Sequence, residues 1–193
     1  MSRGILNVCF LAGCLLLACL SAAAQQVIHA LVGTVSSVDS TAKTITIVTD
    51  DGSEDRFNEM LNSRGKIVFD KSARTDAAAA AAFMKTGEHV LVYYFGFGIQ
   101  RTVVALRSLG PGPFITSAGT VVGLDRKAHA LSIKDQSGQV ESFQIASDAA
   151  VDTSMGAEGA VDFRPAKNDS VRVTAAVVNG NKTAVFISAL AAQ

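Results

Sequence analysis

Apolar and polar residues alternate in short runs along most of the chain, and the runs come twice. In residues 43–50, KTITIVTD, Ile45 and Ile47 fall on one face of an extended strand and Thr44 and Thr46 on the other. Leu131 and Ile133 repeat that alternation 86 residues later. The match extends over GTVSSVDSTAKTITIVTDDGSEDRF (33–57) and GTVVGLDRKAHALSIKDQSGQVESF (119–143), which align without a gap. Eight of the 25 pairs are identical, among them Gly33/Gly119, Asp39/Asp125, Ile47/Ile133 and Phe57/Phe143. Farther on, Val90/Val171, Val92/Val173, Thr102/Thr183 and Leu109/Leu190 match at a shift of 81, so the second copy is five residues shorter between Phe143 and Val171. A register change of that kind belongs in a surface connection, because inside a core strand it would turn side chains to the wrong face.

Each copy predicts five strands. In the first they cover 31–39, 43–50, 54–60 with 66–70, 88–95 and 100–108; in the second, 117–125, 129–136, 140–146 with 149–153, 169–177 and 182–190. Thr49-Asp50-Asp51-Gly52 and Asp135-Gln136-Ser137-Gly138 are tight turns ending in glycine. Gly33 and Gly119, inside the first strand of each copy, predict a bulge or bend. Between strands 3 and 4 of the first copy an alanine-rich stretch carries helix signals at both ends, Thr75 and Asp76 before it and Lys85 and Gly87 after it. The second copy has Met155 to Lys167 there, with Gly156, Gly159 and Pro165, and predicts a loop or one short turn. Strand-strand-strand-helix-strand-strand is the order of the OB-fold. The expected fold is therefore mainly β: two tandem five-stranded OB-like β-barrels, residues 30–109 and 116–190, joined by a Gly/Pro linker at 110–115, with the alanine-rich helix in the first. Two prolines in so short a linker, and the small size of each barrel, predict that the barrels pack on each other.

The pattern GTVxxVDxxAKTITI, with its later pair of apolar strands, resembles a family of exported bacterial domains of unknown function that occur in tandem and are OB-like. A fainter similarity runs to the periplasmic copper-chaperone OB barrels. The resemblance implies a fold rather than an activity.

The first 24 residues do not fit the repeat. Arg3 precedes the apolar run Ile5–Leu20, and Ala22-Ala23-Ala24 fits cleavage by signal peptidase before Gln25, which predicts a signal peptide and a periplasmic or secreted protein. Leu16-Leu17-Ala18-Cys19 also reads as a lipobox, so lipidation at Cys19 and a membrane-anchored lipoprotein form the alternative. All three cysteines, Cys9, Cys14 and Cys19, lie in this segment, and cleavage after Ala24 would leave no thiol or disulfide chemistry. Loss of Arg3 leaves 16 basic against 17 acidic residues, a net charge of −1 without a basic block. That argues against nucleic acid as a partner and leaves the membrane as a partner only through Cys19.

Candidate chemistry is sparse. His29, His89 and His129 have no ligand spacing and no histidine at their repeat partners, so they read as solvated surface residues; no metal and no cofactor is expected. Asp39 and Asp125 each end a strand where an aspartate accepts from nearby backbone N–H groups. Asp50, Asp51, Glu54 and Asp55 read as a solvated hairpin tip. No nucleophile, phosphate-loop or dinucleotide motif occurs, and an enzyme is not expected. The one local anomaly is Tyr93-Tyr94-Phe95-Gly96-Phe97. Consecutive strand residues point to opposite faces, so these rings cannot all enter one core. Tyr93, Tyr94, Phe95 and Phe97 are the expected ligand or partner contact, or the packing surface against the second barrel near Phe114. The function expected is a non-enzymatic binding or interaction module of the cell envelope, its partner an envelope protein or small ligand. The alternatives are a periplasmic copper-type metal carrier and an enzyme whose site shows no linear motif.

Overall fold

The computed structural model describes residues 27–39, 41–59 and 85–190. The alanine-rich helix and the 66–70 strand expected from the sequence lie outside these residues. Among the described residues there is no α-helix, only a short 3₁₀ turn at Gly98–Gln100. The strands are β1 (His29–Asp39), β2 (Thr44–Thr49), β3 (Glu54–Glu59), β4 (His89–Phe95), β5 (Thr102–Ser108), β6 (Phe114–Asp125), β7 (Ala130–Lys134), β8 (Val140–Thr153), β9 (Gly156–Gly159), β10 (Ser170–Val178) and β11 (Asn181–Ala189).

β1 to β5 form a closed barrel in the order β1-β2-β3-β5-β4, with β4 returning to β1. All its pairings are antiparallel except β3–β5, where Asn58 lies opposite Thr102 in parallel register. The remaining strands form a sheet in the order β11-β10-β6-β7-β8-β9, and β11 also pairs in parallel with β8.

The register of the second sheet repeats that of the barrel. Val35 pairs with Ile47, and a bulge then brings Ser37 opposite Thr46. Val121 pairs with Ile133, and the same bulge brings Gly123 opposite Ser132. A second bulge follows the pair Tyr93–Ala105 in β4–β5 and its counterpart Thr174–Phe186 in β10–β11. Bulges bend and twist a strand locally, which a small closed sheet requires. The bulges do not fall at Gly33 and Gly119, where the sequence placed them, but two to four residues farther on. The glycines instead allow a close approach, since a Cβ on Gly33 would stand 2.4 Å from the Val48 carbonyl oxygen and one on Gly119 2.5 Å from that of Lys134. Asp39 and Asp125 close the following turns alike, each Oδ1 accepting from two backbone N–H groups at 2.8–2.9 Å. Each turn ends on a left-handed residue, Lys43 or His129.

The two cores use matching side chains. Val35, Ile45, Ile47, Phe57, Val92 and Leu106 fill the barrel. Val121, Leu131, Ile133, Phe143, Val173 and Ile187, their repeat partners, fill the space within the second sheet.

The second half departs from the expected five strands in two ways. The pieces at 140–146 and 149–153 are one continuous strand, β8. The stretch after Met155, expected as a loop or turn, forms the additional strand β9, antiparallel to β8. β9 forms because its backbone also finds a partner outside the hairpin: the Ala157 N–H donates to the Ile28 carbonyl at 2.6 Å.

A third apolar cluster lies between the halves. Ala30, Val32, Leu91 and Tyr93, on the outer face of the barrel, pack in one cluster with Ala150 and Phe186 of the second sheet. β1 and β4 thus bury both faces, which is why their sequences lack clean alternation.

Candidate functional site

The aromatic run divides three ways. Tyr93 points outward from the barrel into the cluster between the halves and is 1% exposed. Tyr94, on the opposite face of β4, packs edge-on against Phe57 with ring centroids 5.2 Å apart. Phe95, the last residue of β4, is partly buried, and Phe97, at the tip of the β4–β5 turn, is 87% exposed. Ile99 beside it is 91% exposed. Phe114 takes no part in this; it stacks on His89, with centroids 4.4 Å apart.

Between the halves opens a cleft of about 220 Å³. Its floor is apolar, from Ala30, Val32 and Phe186, and its wall includes the Tyr94 ring. Four carboxylates line it: Asp50 and Asp51 from the β2–β3 turn, Asp55 from β3 and Asp152 from β8. The sequence reading of Asp50, Asp51, Glu54 and Asp55 as a solvated tip holds for Asp51 and Glu54, which stay exposed, and is corrected for Asp50, whose side chain is tucked against the second sheet, and for the partly buried Asp55. Asp50 Oδ2 accepts the Thr174 hydroxyl at 2.7 Å and the Thr116 hydroxyl at 3.0 Å. Asp51 pairs with Arg172 at 3.2 Å. Hydrogen bonds from Thr49 and Ser53, with a smaller contribution from Arg172, hold the Asp51 carboxyl well below the usual range. Asp55 pairs with Arg101, whose guanidinium lies 5.4 Å from the centre of the Tyr94 ring. Asp152 Oδ1 accepts from the Ala30 N–H at 2.9 Å and lies 3.2 Å from His29 Nδ1. Burial raises the Asp152 pKa, and these two partners pull it part of the way back.

Each carboxylate is thus already engaged, three of them across the boundary. Arg107 adds a further tie from β5, donating to the Asp148 carbonyl and pairing with its carboxylate. The cleft is a clamp between the halves as much as an opening. Burial also raises the Tyr94 hydroxyl above its ordinary pKa, so it is a neutral phenol in the cleft wall.

The histidines do not converge. His129 sits on the exposed β6–β7 turn. His29 faces Asp152. His89 is not a solvated residue as its sequence context suggested: its side chain is 15% exposed, its Nδ1 lies 3.1 Å from the Thr34 hydroxyl, and its buried Nε2 has no hydrogen-bond partner. Burial lowers its pKa, and Asp50, 3.7 Å away, opposes that. Among the described residues no three His, Cys, Asp or Glu side chains are placed to hold a metal ion. Met60 and Met84 lie outside them.

Reading along the sequence missed Asp152, Arg172, Ile99 and Met155, the last 85% exposed on the β8–β9 turn. The signal available was difference between the copies. Asp50, Asp51, Leu91, Tyr93 and Ala105 stand where the second copy has Gln136, Ser137, Arg172, Thr174 and Phe186. These unlike pairs lie at or beside the boundary.

Fold and site together define a mainly β protein with a closed five-stranded barrel packed on a second sheet of related register. No family model matches the chain, and no curated protein matches it. Among the described residues no helix is long and apolar enough to cross a membrane.

Proposed function

We propose that the chain is an exported, non-enzymatic interaction module of the cell envelope, built of two OB-like barrels that act as one scaffold. The strand order β1-β2-β3-β5-β4, with β3 parallel to β5, supports the OB-like reading of the first half. The parallel β8–β11 pairing at the corresponding position supports the same reading of the second.

The observation that carries the functional reading is the β4–β5 turn. In the OB-fold the loop between strands 4 and 5 is one of those that meet a ligand. Here that turn presents Phe97 and Ile99 almost fully to solvent, although Tyr93 and Tyr94 of the same run are used in packing. Two large apolar side chains side by side on a protruding turn suit a contact surface better than a solvated loop.

The test is recovery of envelope components with the exported protein and with the double variant F97S/I99S. The variant should fold as the parent does and lose what the parent retains. Identical recovery by both proteins would refute this surface.

A further inference from the structure

The cleft between the halves has its charges engaged; a second pocket has not. It lies wholly in the second half, between the β6–β7 turn, the middle of β8 and the segment that follows β9, with a volume of about 260 Å³. Its cause is a change of course in β8. Ala184 and Phe186 of β11 pair with Ile145 and Ala150, so two steps of β11 span five of β8, and β8 bows out of the sheet between them. After β9 the chain returns past this bow, where the Ala160 N–H donates to the Ala149 carbonyl at 2.9 Å. The Ile145 N–H donates to the His129 carbonyl at 2.6 Å, and the Gln144 amide donates to that of Ala128, which pins the β6–β7 turn as another wall. The floor is apolar. Phe163 reaches into the core and is 5% exposed, whereas Leu124, Ile145 and Ala160 pack on the same core and are left partly uncovered.

Cations stand at the rim. Arg164 is held there by its own backbone, its Nη1 donating to the carbonyls of Val161 and Phe163 at 2.7 and 2.8 Å. Among the described residues neither Arg164 nor Arg126 is in an ion pair. The one carboxylate of the lining, Asp125, has its Oδ1 turned into the β6–β7 turn, accepting from the Lys127 and Ala128 N–H groups at 2.9 Å. Two guanidiniums against one carboxylate leave a net positive charge of one around the pocket, apart from the exposed His129. The first copy does not repeat this arrangement: Ser40 and Glu59 stand where the second has Arg126 and Ile145.

We propose that this pocket binds a small organic monocarboxylate, with its apolar body against Leu124, Ile145 and Phe163 and its carboxylate at Arg126 and Arg164. A mostly apolar concave lining with a few placed polar groups is the pattern of small-molecule sites. A guanidinium matches the geometry of a carboxylate. One net charge balances a monoanion, whereas a phosphate dianion would overshoot it. Size sets the body. An apolar cavity of about 150 Å³ holds benzene, so about 260 Å³ takes a phenyl ring with a short tail or a chain of about six to eight carbons. The site uses no residue of the β4–β5 turn and goes beyond the reading of the chain as an interaction module.

Octanoate, octanol and acetate are titrated into the exported protein carrying labelled isoleucine methyl groups. Octanoate should shift the Ile145 methyl resonance. Acetate lacks the body and octanol lacks the charge, and each should bind at least about tenfold more weakly. R126Q should weaken octanoate about tenfold, and V161D, which sets a carboxylate beside Arg164, should do the same. Both positions are exposed, so the thermal midpoints of these variants should match the parent. The proposal is overturned if octanoate fails to bind at about 10 mM, binds without moving Ile145, or binds both variants as tightly as the parent. Acetate or octanol of equal affinity overturns it as well. Loss of octanoate binding in F97S/I99S would place the acid at the β4–β5 turn and overturn it too.

Discussion

Tyr93 and Thr174 occupy the same position of the internal repeat and face the same boundary from opposite sides, 1% and 2% exposed. Where the first half places a ring, the second places a hydroxyl. Their cross-strand neighbours are exchanged as well: Tyr93 lies opposite Ala105, and Thr174 opposite Phe186. Large and small residues therefore alternate across the boundary, and two copies of one unit gain unlike, complementary outer faces. A symmetric pair of rings would compete for one space, and a symmetric pair of hydroxyls would leave little to bury.

Phe186 is the larger contribution of the second half to that boundary, so F186A should be costly. Truncating a buried phenylalanine removes about 3–5 kcal/mol. Small barrels bury a modest share of their surface and depend on such contacts. Chemical unfolding of the parent should show one transition, and F186A should show an earlier transition split into two. A single transition at the parental midpoint would mean that the boundary cluster does not couple the halves.

The Asp50 carboxylate and the Thr174 hydroxyl form the polar counterpart of this contact. D50A leaves a buried hydroxyl without its carboxylate acceptor, a loss of about 1–3 kcal/mol. D50N, which keeps an acceptor oxygen, should recover part of that loss. Unfolding midpoints of the two variants in the same buffer check the order.

Much of the architecture was legible because it follows from local pattern. The alternation of Ile45 and Ile47 with threonines predicts β2, whereas the glycine at 33, read as a bulge, proved to serve a close approach to Val48 instead. Asp39 and Asp125 were read as turn residues, and both accept backbone hydrogen bonds there. What escaped depends on partners far away in sequence. β9 exists because Ala157 meets Ile28, and His89 is buried because Phe114 folds over it. No window of sequence around either residue contains that information. The cleft escaped for the same reason, since its walls come from both halves and only their mutual placement brings Asp51 to Arg172.

His89 makes stability depend on pH. Burial lowers its pKa below the ordinary value of 6.5, with Asp50 opposing the shift. As the pH falls, the unfolded chain takes up the proton first. The contribution of the neutral imidazole is therefore complete above about pH 6.5 and is lost as the pH falls through the folded-state value. Urea midpoints should decline more steeply in the parent than in H89Q on passing from about pH 7.5 to about pH 5.5, the range in which an imidazole titrates. Equal slopes would show that another group carries the pH dependence.

The repeated glycines offer a comparison within one molecule. G33A and G119A each drive a methyl group into a strand carbonyl at a distance no real contact tolerates, and the neighbour is backbone, which cannot swing aside. Overpacking of this kind costs about 1–3 kcal/mol, and the two costs should be similar because both glycines meet a carbonyl of the neighbouring strand at nearly the same distance. Gly123 lies in the same strand as Gly119, yet a Cβ there meets nothing within 4 Å. G123A should fall within about 0.5 kcal/mol of the parent. Thermal unfolding of the three variants separates two explanations for glycine in these strands. If all three are equally destabilised, the strands need glycine for flexibility. If only G33A and G119A lose stability, the requirement is space, and the duplication has preserved a close approach of one strand's backbone to the next.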